Sequence, residues 1–306
     1  MHPDEIAIGL PLVARLIAAQ FPHWGHLPLA EVRSAGTDNA LYRLGDDLAV
    51  RLPRRQVIAA EAARLWHWLP RLAPHLPLAA PMPVARGAPG AGFPFPWLVC
   101  EWLDGQDVTS DPGIDLADAA VRLGRFVAAL HRLDATGAPP TPFRGGPLST
   151  LDDRVRGALR DLGADGTIRD LGADGTIDPR LATAAWDRAL AAPGWDRAPV
   201  WVHADLYPVN LLAREHRLAG VIDFGGLGTG DPAIDLLPAW AWLTAATREA
   251  FRAQVEPDDA TWARGRGWAL GLGLGAVHGY RHANPVLATI GRHAITEALA
   301  DHQDLI

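Results

Sequence analysis

In the stretch VHADLYPVN, residues 202–210, His203, Asp205 and Asn210 stand at short fixed intervals. Asp223 of VIDFGG follows thirteen residues after Asn210. Polar side chains this dense at the edge of apolar segments lose hydration for nothing unless they are used. An amide oxygen and a carboxylate, Asn210 and Asp223, suit Mg2+, which takes one or two protein oxygens and fills its shell with phosphate and water. A further carboxylate facing such an ion, Asp205, is placed to accept a proton from an attacking hydroxyl. These are the parts that phosphoryl transfer requires.

The flanking pattern must hold those groups in place. WVHADLYPVNLLA and LAGVIDFGG read as a strand, a tight loop at Pro208, a short strand, a turn at REHR and another strand. Such a ribbon brings the end of the loop near the end of the last strand, with Asn210 and Asp223 on one side and Asp205 opposite. Upstream, EIAI reads as a short strand, and Pro11 opens a helix through about Gln20. LYRLGDDLAVRL carries two alternating runs around Gly-Asp-Asp, a hairpin signal. Leu65, Trp68, Leu69 and Leu72 fall on one helical face between residues 56 and 72. Residues 74–96 are rich in Pro and Gly and read as a loop before the strand WLVCEW; Trp66 and Trp68 read as core or hinge residues. From Asp115, a candidate N-cap, Leu116, Ala120, Leu123, Val127 and Leu130 line one helical face. PAIDLLPAWAWL, DATWARGRGWALGLGLGAV and PVLATIGRHAITEALADH read as further helices. The boundary is placed at LDGQD, giving a lobe at 1–103 and another at 104–306.

HADLYPVN, then IDFGG, then GDPAIDL resembles the catalytic core of the aminoglycoside phosphotransferase family, whose usual wording is H-G-D-L-H-P-G-N, I-D-F or I-D-W, and G-D-P-x-x-D-L. The matches are His203, Asp205, Leu206, Pro208, Asn210, Asp223, Gly230, Asp231, Pro232 and Asp235; the departures are Ala204, Tyr207 and Val209. The resemblance implies an α+β, protein-kinase-like two-lobe fold, with a small β-rich N-terminal lobe and a larger, mostly helical C-terminal lobe. It implies that Asp205 is the catalytic base or orients the hydroxyl, that Asn210 and Asp223 bind Mg2+, and that His203 and Asp235 brace the loop. Where the family has a nucleotide-binding lysine on the third strand, LAVRLP offers Arg51, with Glu61 on the next helix as partner. SAGTDNALYRLG takes the place of the phosphate-covering loop, with Ser34, Gly36 and Thr37 as candidate contacts. CEWLDG takes the place of the hinge, where backbone near Glu101 and Leu103 would meet the base of ATP or GTP. At Val209 a valine resists positive φ, which matters only if the family's glycine there needs it. Tyr207 removes a cation that the wider fold carries beside the transferred phosphate.

Composition narrows the alternatives. All 28 basic residues are arginine, so any chemistry that needs lysine must run on Arg. Residues 1–103 balance at +1 and residues 104–306 at −8, which argues against nucleic acid as a partner and tolerates a cationic ligand. One cysteine, Cys100, excludes an internal disulfide and points to a reducing, cytoplasmic setting. No apolar run approaches the length of a membrane span. The expected activity is an ATP- or GTP-dependent phosphotransferase acting on a hydroxyl of a small molecule, an aminoglycoside first, with Glu256, Asp258, Asp259, Asp301 and Asp304 as candidate acceptor contacts. The alternatives are a kinase of macrolides, choline, homoserine or sugars, or a nucleotide-binding protein with weak catalysis. RDLGADGTI at 160–168 recurs at 169–177 and reads as a duplication tolerated in a surface loop. His278 and His282 share a helical face but lack further metal ligands, and GLGLGAVHG follows no strand, so neither is assigned a role.

Overall fold

The computed structural model describes residues 6–32, 38–164 and 178–303. The chain divides into two units, Met1–Gly105 with Gly220–Gly225, and Gln106–Ala219 with Gly226–Ile306.

In the first unit, Pro11 opens α1 (Leu10–Gln20), whose Val13, Leu16 and Ile17 are buried. Strands β1 (Leu29–Glu31), β2 (Asn39–Leu44) and β3 (Leu48–Pro53) precede α2 (Ala60–Leu72), and β4 (Pro83–Gly87) and β5 (Trp97–Glu101) follow it. Among the described residues they form a five-stranded antiparallel sheet in the order β1-β2-β3-β5-β4. Period-two alternation sends Ala40, Tyr42 and Leu44 inward from β2, and they share one core with Val13, Leu16, Val50, Trp97 and Val99. Helix α2 buries Leu65, Leu69 and Leu72 and, unusually, Glu61. Three expectations need correction. Residues 6–9 form no strand: Ile6 N–H donates to the Arg54 carbonyl (3.0 Å), and the chain then enters α1. The supposed loop at 74–96 holds β4, an edge strand with a bulge between Pro83 and Ala85, where a proline at the first position removes no needed donor. Trp66 points outward from α2 and is 40% exposed.

In the second unit, β6 (Gln106–Asp107) leads to α3 (Leu116–Arg132). Asp115 accepts from the N–H groups of Ala117 and Asp118, and Ala120, Leu123, Val127 and Leu130 are buried as the heptad-like spacing requires. Helices α4 (Asp152–Ala164) and α5 (Pro179–Ala191), which the sequence pattern did not single out, precede β7 (Val200–Val202), β8 (Leu211–Arg214) and β9 (Arg217–Val221). The β8–β9 turn holds Glu215 and His216 at φ 54° and 59°, the primed geometry that suits a two-residue hairpin connection. Next come β10 (Gly228–Gly230), paired antiparallel with β7, then α6 (Pro238–Ala241), α7 (Ala245–Val255), α8 (Asp259–Tyr280) and α9 (Pro285–Gln303). GLGLGAVHG lies inside α8, where a Cβ on Gly273 would stand 2.9 Å from the Gly291 carbonyl oxygen of α9. Gly271, Gly273 and Gly275 thus serve close packing. The first repeat begins within α4, where Leu162 is fully buried, so its opening residues are helix and not loop; residues 165–177 lie outside those described. A five-stranded N-terminal sheet and a helical C-terminal part make this the α+β, kinase-like fold expected from the motifs. No helix among the described residues is long and apolar enough to cross a membrane.

Candidate active site

The loop after β7 is hung on one carboxylate. Asp235, fully buried in the 3-10 turn Pro232–Leu236, accepts from His203 N–H through Oδ2 (2.9 Å) and from Ala204 N–H through Oδ1 (2.8 Å). His131 Nε2 lies 3.2 Å from the same Oδ2. Asp205 N–H then donates to His203 Nδ1 (3.2 Å), which fixes that ring nitrogen as an acceptor. Ala204 is held at φ 64°, a left-handed conformation that costs an L-residue about 1–2 kcal/mol. This is the position at which the family wording has glycine, and the paired bonds to Asp235 hold the strained peptide in place.

The next turn aims the amide of Asn210. Tyr207 N–H donates to the Asp205 carbonyl (2.8 Å), and Asn210 N–H to the Tyr207 carbonyl (2.9 Å). Asn210 Nδ2 donates to both the Asp205 carbonyl and Asp205 Oδ2, each at 2.9 Å. With its nitrogen spent twice on Asp205, the amide turns its oxygen away from that residue. Val209 sits within the 3-10 turn Pro208–Asn210 and is not among the residues with positive φ, so this turn needs no glycine there.

One residue here carried no signal in the sequence. Arg144 Nη1 contacts Asp205 Oδ1, and its guanidinium lies over the Tyr207 ring, 5.7 Å from the centroid. Burial pushes the Tyr207 phenol up to about 12 against the pull of Arg144. The segment bearing Arg144 lies along β10. Thr229 N–H donates to the Pro139 carbonyl (2.8 Å), Thr141 N–H to the Thr229 carbonyl (3.0 Å) and Asp231 N–H to the Gly145 carbonyl (2.8 Å). Gly228 and Gly230 permit this approach, since added Cβ atoms would stand 2.5 Å from Thr141 Cα and 2.7 Å from the Gly145 oxygen. GGLGTGD is therefore more than the turn it resembled in the sequence: its Gly228–Gly230 form a strand whose two glycines leave room for another segment.

In the first unit Arg51 Nη2 joins two carboxylates, Glu61 Oε1 at 2.5 Å and Asp223 Oδ1 at 2.9 Å. Asn39 Nδ2 adds a bond to Glu61 Oε2 (3.2 Å), and Arg64 donates to the Gly225 carbonyl. Burial works against the Arg51 charge, but Glu61 and Asp223 outweigh it and its pKa is raised. Burial raises the Glu61 carboxyl, with Arg51 pulling it down and Asp223 adding to the rise. Asp223 adopts φ 60°, so its backbone is in the left-handed region. Glu101 ends β5 with its N–H donated to the Met82 carbonyl (2.8 Å); Trp102 N–H reaches the Asp47 carbonyl (2.7 Å), and half-buried Leu103 follows. Ser34, Gly36 and Thr37 lie outside the described residues.

Each described candidate acceptor contact lies beside an arginine. Asp301 accepts from Arg266 (2.9 Å), Arg248 (3.4 Å) and Trp240 Nε1 (3.2 Å). Asp258 caps α8 through Thr261 N–H (2.7 Å) and pairs with Arg197 (3.0 Å). Asp259 pairs with Arg252 (2.8 Å), and Glu256, at φ 53°, lies 3.8 Å from Arg132. In a chain whose only strong cations are arginines, formal negative charge on the second half does not equal a free acidic face. Asp304 lies outside the described residues. His278 bonds Asp161 (3.0 Å).

The model of the phosphotransferase enzyme family matches residues 30–268, which includes every motif residue named above. The chain belongs to the phosphotransferase enzyme family. No curated protein sequence matches this phosphotransferase significantly. Solved structures do. A GDP complex of an aminoglycoside 2'-phosphotransferase-IIIa variant aligns over 97% of this chain and 99% of its own, at 19% identity and a TM-score of 0.72. A GDP and kanamycin complex of an APH(2") enzyme aligns over 94% and 98%, at 19% identity and a TM-score of 0.67. The apoenzyme of a macrolide 2'-phosphotransferase from Brachybacterium faecium aligns over 95% and 98%, at 26% identity and a TM-score of 0.59.

Proposed function

We propose that this phosphotransferase moves the γ-phosphoryl group of a nucleoside triphosphate to a hydroxyl of a small molecule, with an aminoglycoside as the leading acceptor class. The observation that carries the reading is the Asp205–Asn210 turn: a carboxylate positioned by His203 and Asp235, and an amide oriented by that carboxylate. The acceptor oxygen forms a bond to the γ-phosphorus, the bond from that phosphorus to the bridging β–γ oxygen breaks, and the nucleoside diphosphate departs. Asp205 orients the hydroxyl and takes its proton. Arg51, steadied by Glu61, holds nucleotide phosphate; a guanidinium grips phosphate through two N–H groups and stays charged at any working pH. Complexes of the similar structures with GDP support a nucleotide donor.

The donor chemistry fits Mg2+. Mg2+ takes one or two protein oxygens and most of its shell from phosphate and water. Asn210 through its amide oxygen and Asp223 through its carboxylate would be the protein ligands. When bound, the ion supplies neutralisation of charge on the phosphates.

An aminoglycoside acceptor is supported by the kanamycin complex of a similar structure. The 26% identity to the macrolide enzyme favours macrolides as a second reading. The test is Mg2+-dependent release of ADP or GDP across panels of both antibiotic classes, with Asp205→Asn as control. We expect turnover with at least one class, none with Asp205→Asn, and nucleotide binding retained in that variant. Equal turnover by both proteins refutes the role of Asp205, and response to neither panel removes both acceptor classes.

A further inference from the structure

Tyr207 stands where the family wording has His, and the loop itself carries no arginine. The arginine that reaches it comes from elsewhere in the chain. Arg144 lies 61 residues upstream of Asp205, in a segment fixed on both sides of it by β10: Pro139 and Thr141 before it and Gly145 after it bond to Thr229 and Asp231. Thr141 Oγ1 adds a bond to the Gly226 carbonyl (2.9 Å), and Gly145 turns the chain at φ 96°. The guanidinium spans the face of Tyr207 and Oδ1 of Asp205. Asn210 holds the other oxygen, Oδ2.

We infer that Arg144 is the positioning residue of Asp205: a cation borne on the β10-docked segment, stacked on Tyr207, that fixes which carboxylate oxygen faces an incoming hydroxyl. The inference rests on the phosphotransferase role proposed for Asp205. Its physical content is a division of labour. Asn210 clamps one oxygen from within the loop and Arg144 clamps the other from outside it, so the carboxylate plane has no freedom to rotate. Tyr207 is then the platform that keeps a planar guanidinium at the right height, which a lysine ammonium would not need. Misplacing a reacting group by about 1 Å costs on the order of 100-fold in rate.

The test compares Arg144→Ala, Arg144→Lys and Asp205→Asn in the full chain, with nucleotide release under saturating acceptor. Arg144→Ala should lose about 100-fold in kcat with its nucleotide KM unchanged. Guanidinium ion added to Arg144→Ala should restore part of that loss, and Arg144→Lys should fall between. Wild-type kcat in Arg144→Ala beside an inactive Asp205→Asn overturns the inference and leaves the function intact. A kcat loss that guanidinium does not relieve, or that comes with an equal loss of nucleotide affinity, also overturns it. Full activity of Asp205→Asn defeats the functional reading itself. Should no acceptor turn over, the pair is read by a double-mutant cycle of Arg144→Ala and Asp205→Asn on the urea midpoint. Non-additive shifts uphold the clamp and additive shifts refute it.

Discussion

Arg51 is the sharpest point at which to test the energetics of the first unit. Its side chain is 12% exposed, that of Glu61 8%, and that of Asp223 34%. Arg51→Met removes the bonded cation and leaves Glu61 in place, buried, with the Asn39 bond and the more weakly acting Arg64 charge remaining. Stranding one member of a buried pair costs about 3–5 kcal/mol. Asp223, one-third exposed, regains solvation and adds little. The variant should therefore be about 3–5 kcal/mol less stable than wild type at pH 8, read by urea unfolding.

The sign of the pH dependence follows from the direction of the Glu61 shift. Burial holds its folded pKa above the unfolded value, so across that window the folded state carries the extra proton and stability falls as pH rises. Arg51 is what narrows the window. Without it the window widens upward, and as pH falls Glu61 more readily takes a proton instead of standing charged without its bonded cation. The loss at pH 5 should be smaller than at pH 8, by at most about 1.4 kcal/mol for each pH unit within the window. Adding Glu61→Gln to Arg51→Met replaces the stranded charge with a neutral amide and should recover most of the loss at pH 8. A loss under about 1 kcal/mol at pH 8 would contradict the stranded-charge argument. So would equal losses at the two pH values, or no recovery in the double variant.

Asp235→Asn leaves one acceptor oxygen for two backbone N–H groups, so we expect about 1–3 kcal/mol of destabilisation in urea together with a lower kcat; an unchanged midpoint would show that the bonds to His203 and Ala204 are dispensable. Gly228→Ala drives a Cβ against the backbone of Thr141 and should cost about 1–3 kcal/mol and reduce turnover, whereas Gly146→Ala, with open space around its Cβ, should do neither. Identical behaviour of the two glycine variants would refute the docking of the 139–145 segment on β10.

What the sequence revealed divides along physical lines. Helix α3 was legible because its cap and its apolar stripe are local, and the β2–β3 hairpin because a period of two needs only neighbours. The loop of Asp205 was legible because its residues are spaced by the chain itself. Strand β4 was hidden because proline and glycine outweighed its short apolar pattern; only its place at a sheet edge makes that composition tolerable. Arg144 was hidden for a different reason. Phe143, Arg144 and Gly145 form no periodic pattern, and the bond to Asp205 is a tertiary contact across 61 residues. The faint signal was at the other end, in the spacing of Gly228 and Gly230: glycines flanking a strand residue indicate that another backbone lies against it.

The absence of lysine ties these observations together. An ammonium is a point charge that serves whichever anion is nearest, whereas a guanidinium is a plane that can bond along its edges and stack on its face. Arg264, Arg248 and Arg144 exploit that geometry, whereas Arg51 reaches both of its carboxylates through one nitrogen, Nη2. Arg51 joins Glu61 to Asp223, Arg264 grips Asp231 through two nitrogens (2.7 and 3.0 Å), and Arg248 spans Glu297, Asp301 and the Ala239 carbonyl. Arg144 does so with Asp205 and Tyr207. A lysine at position 264, 248 or 144 would keep the charge and lose one of the contacts. The same logic bears on the paired carboxylates of the second unit: a fork can bond two carboxylate oxygens at once while carrying the same single charge as an ammonium.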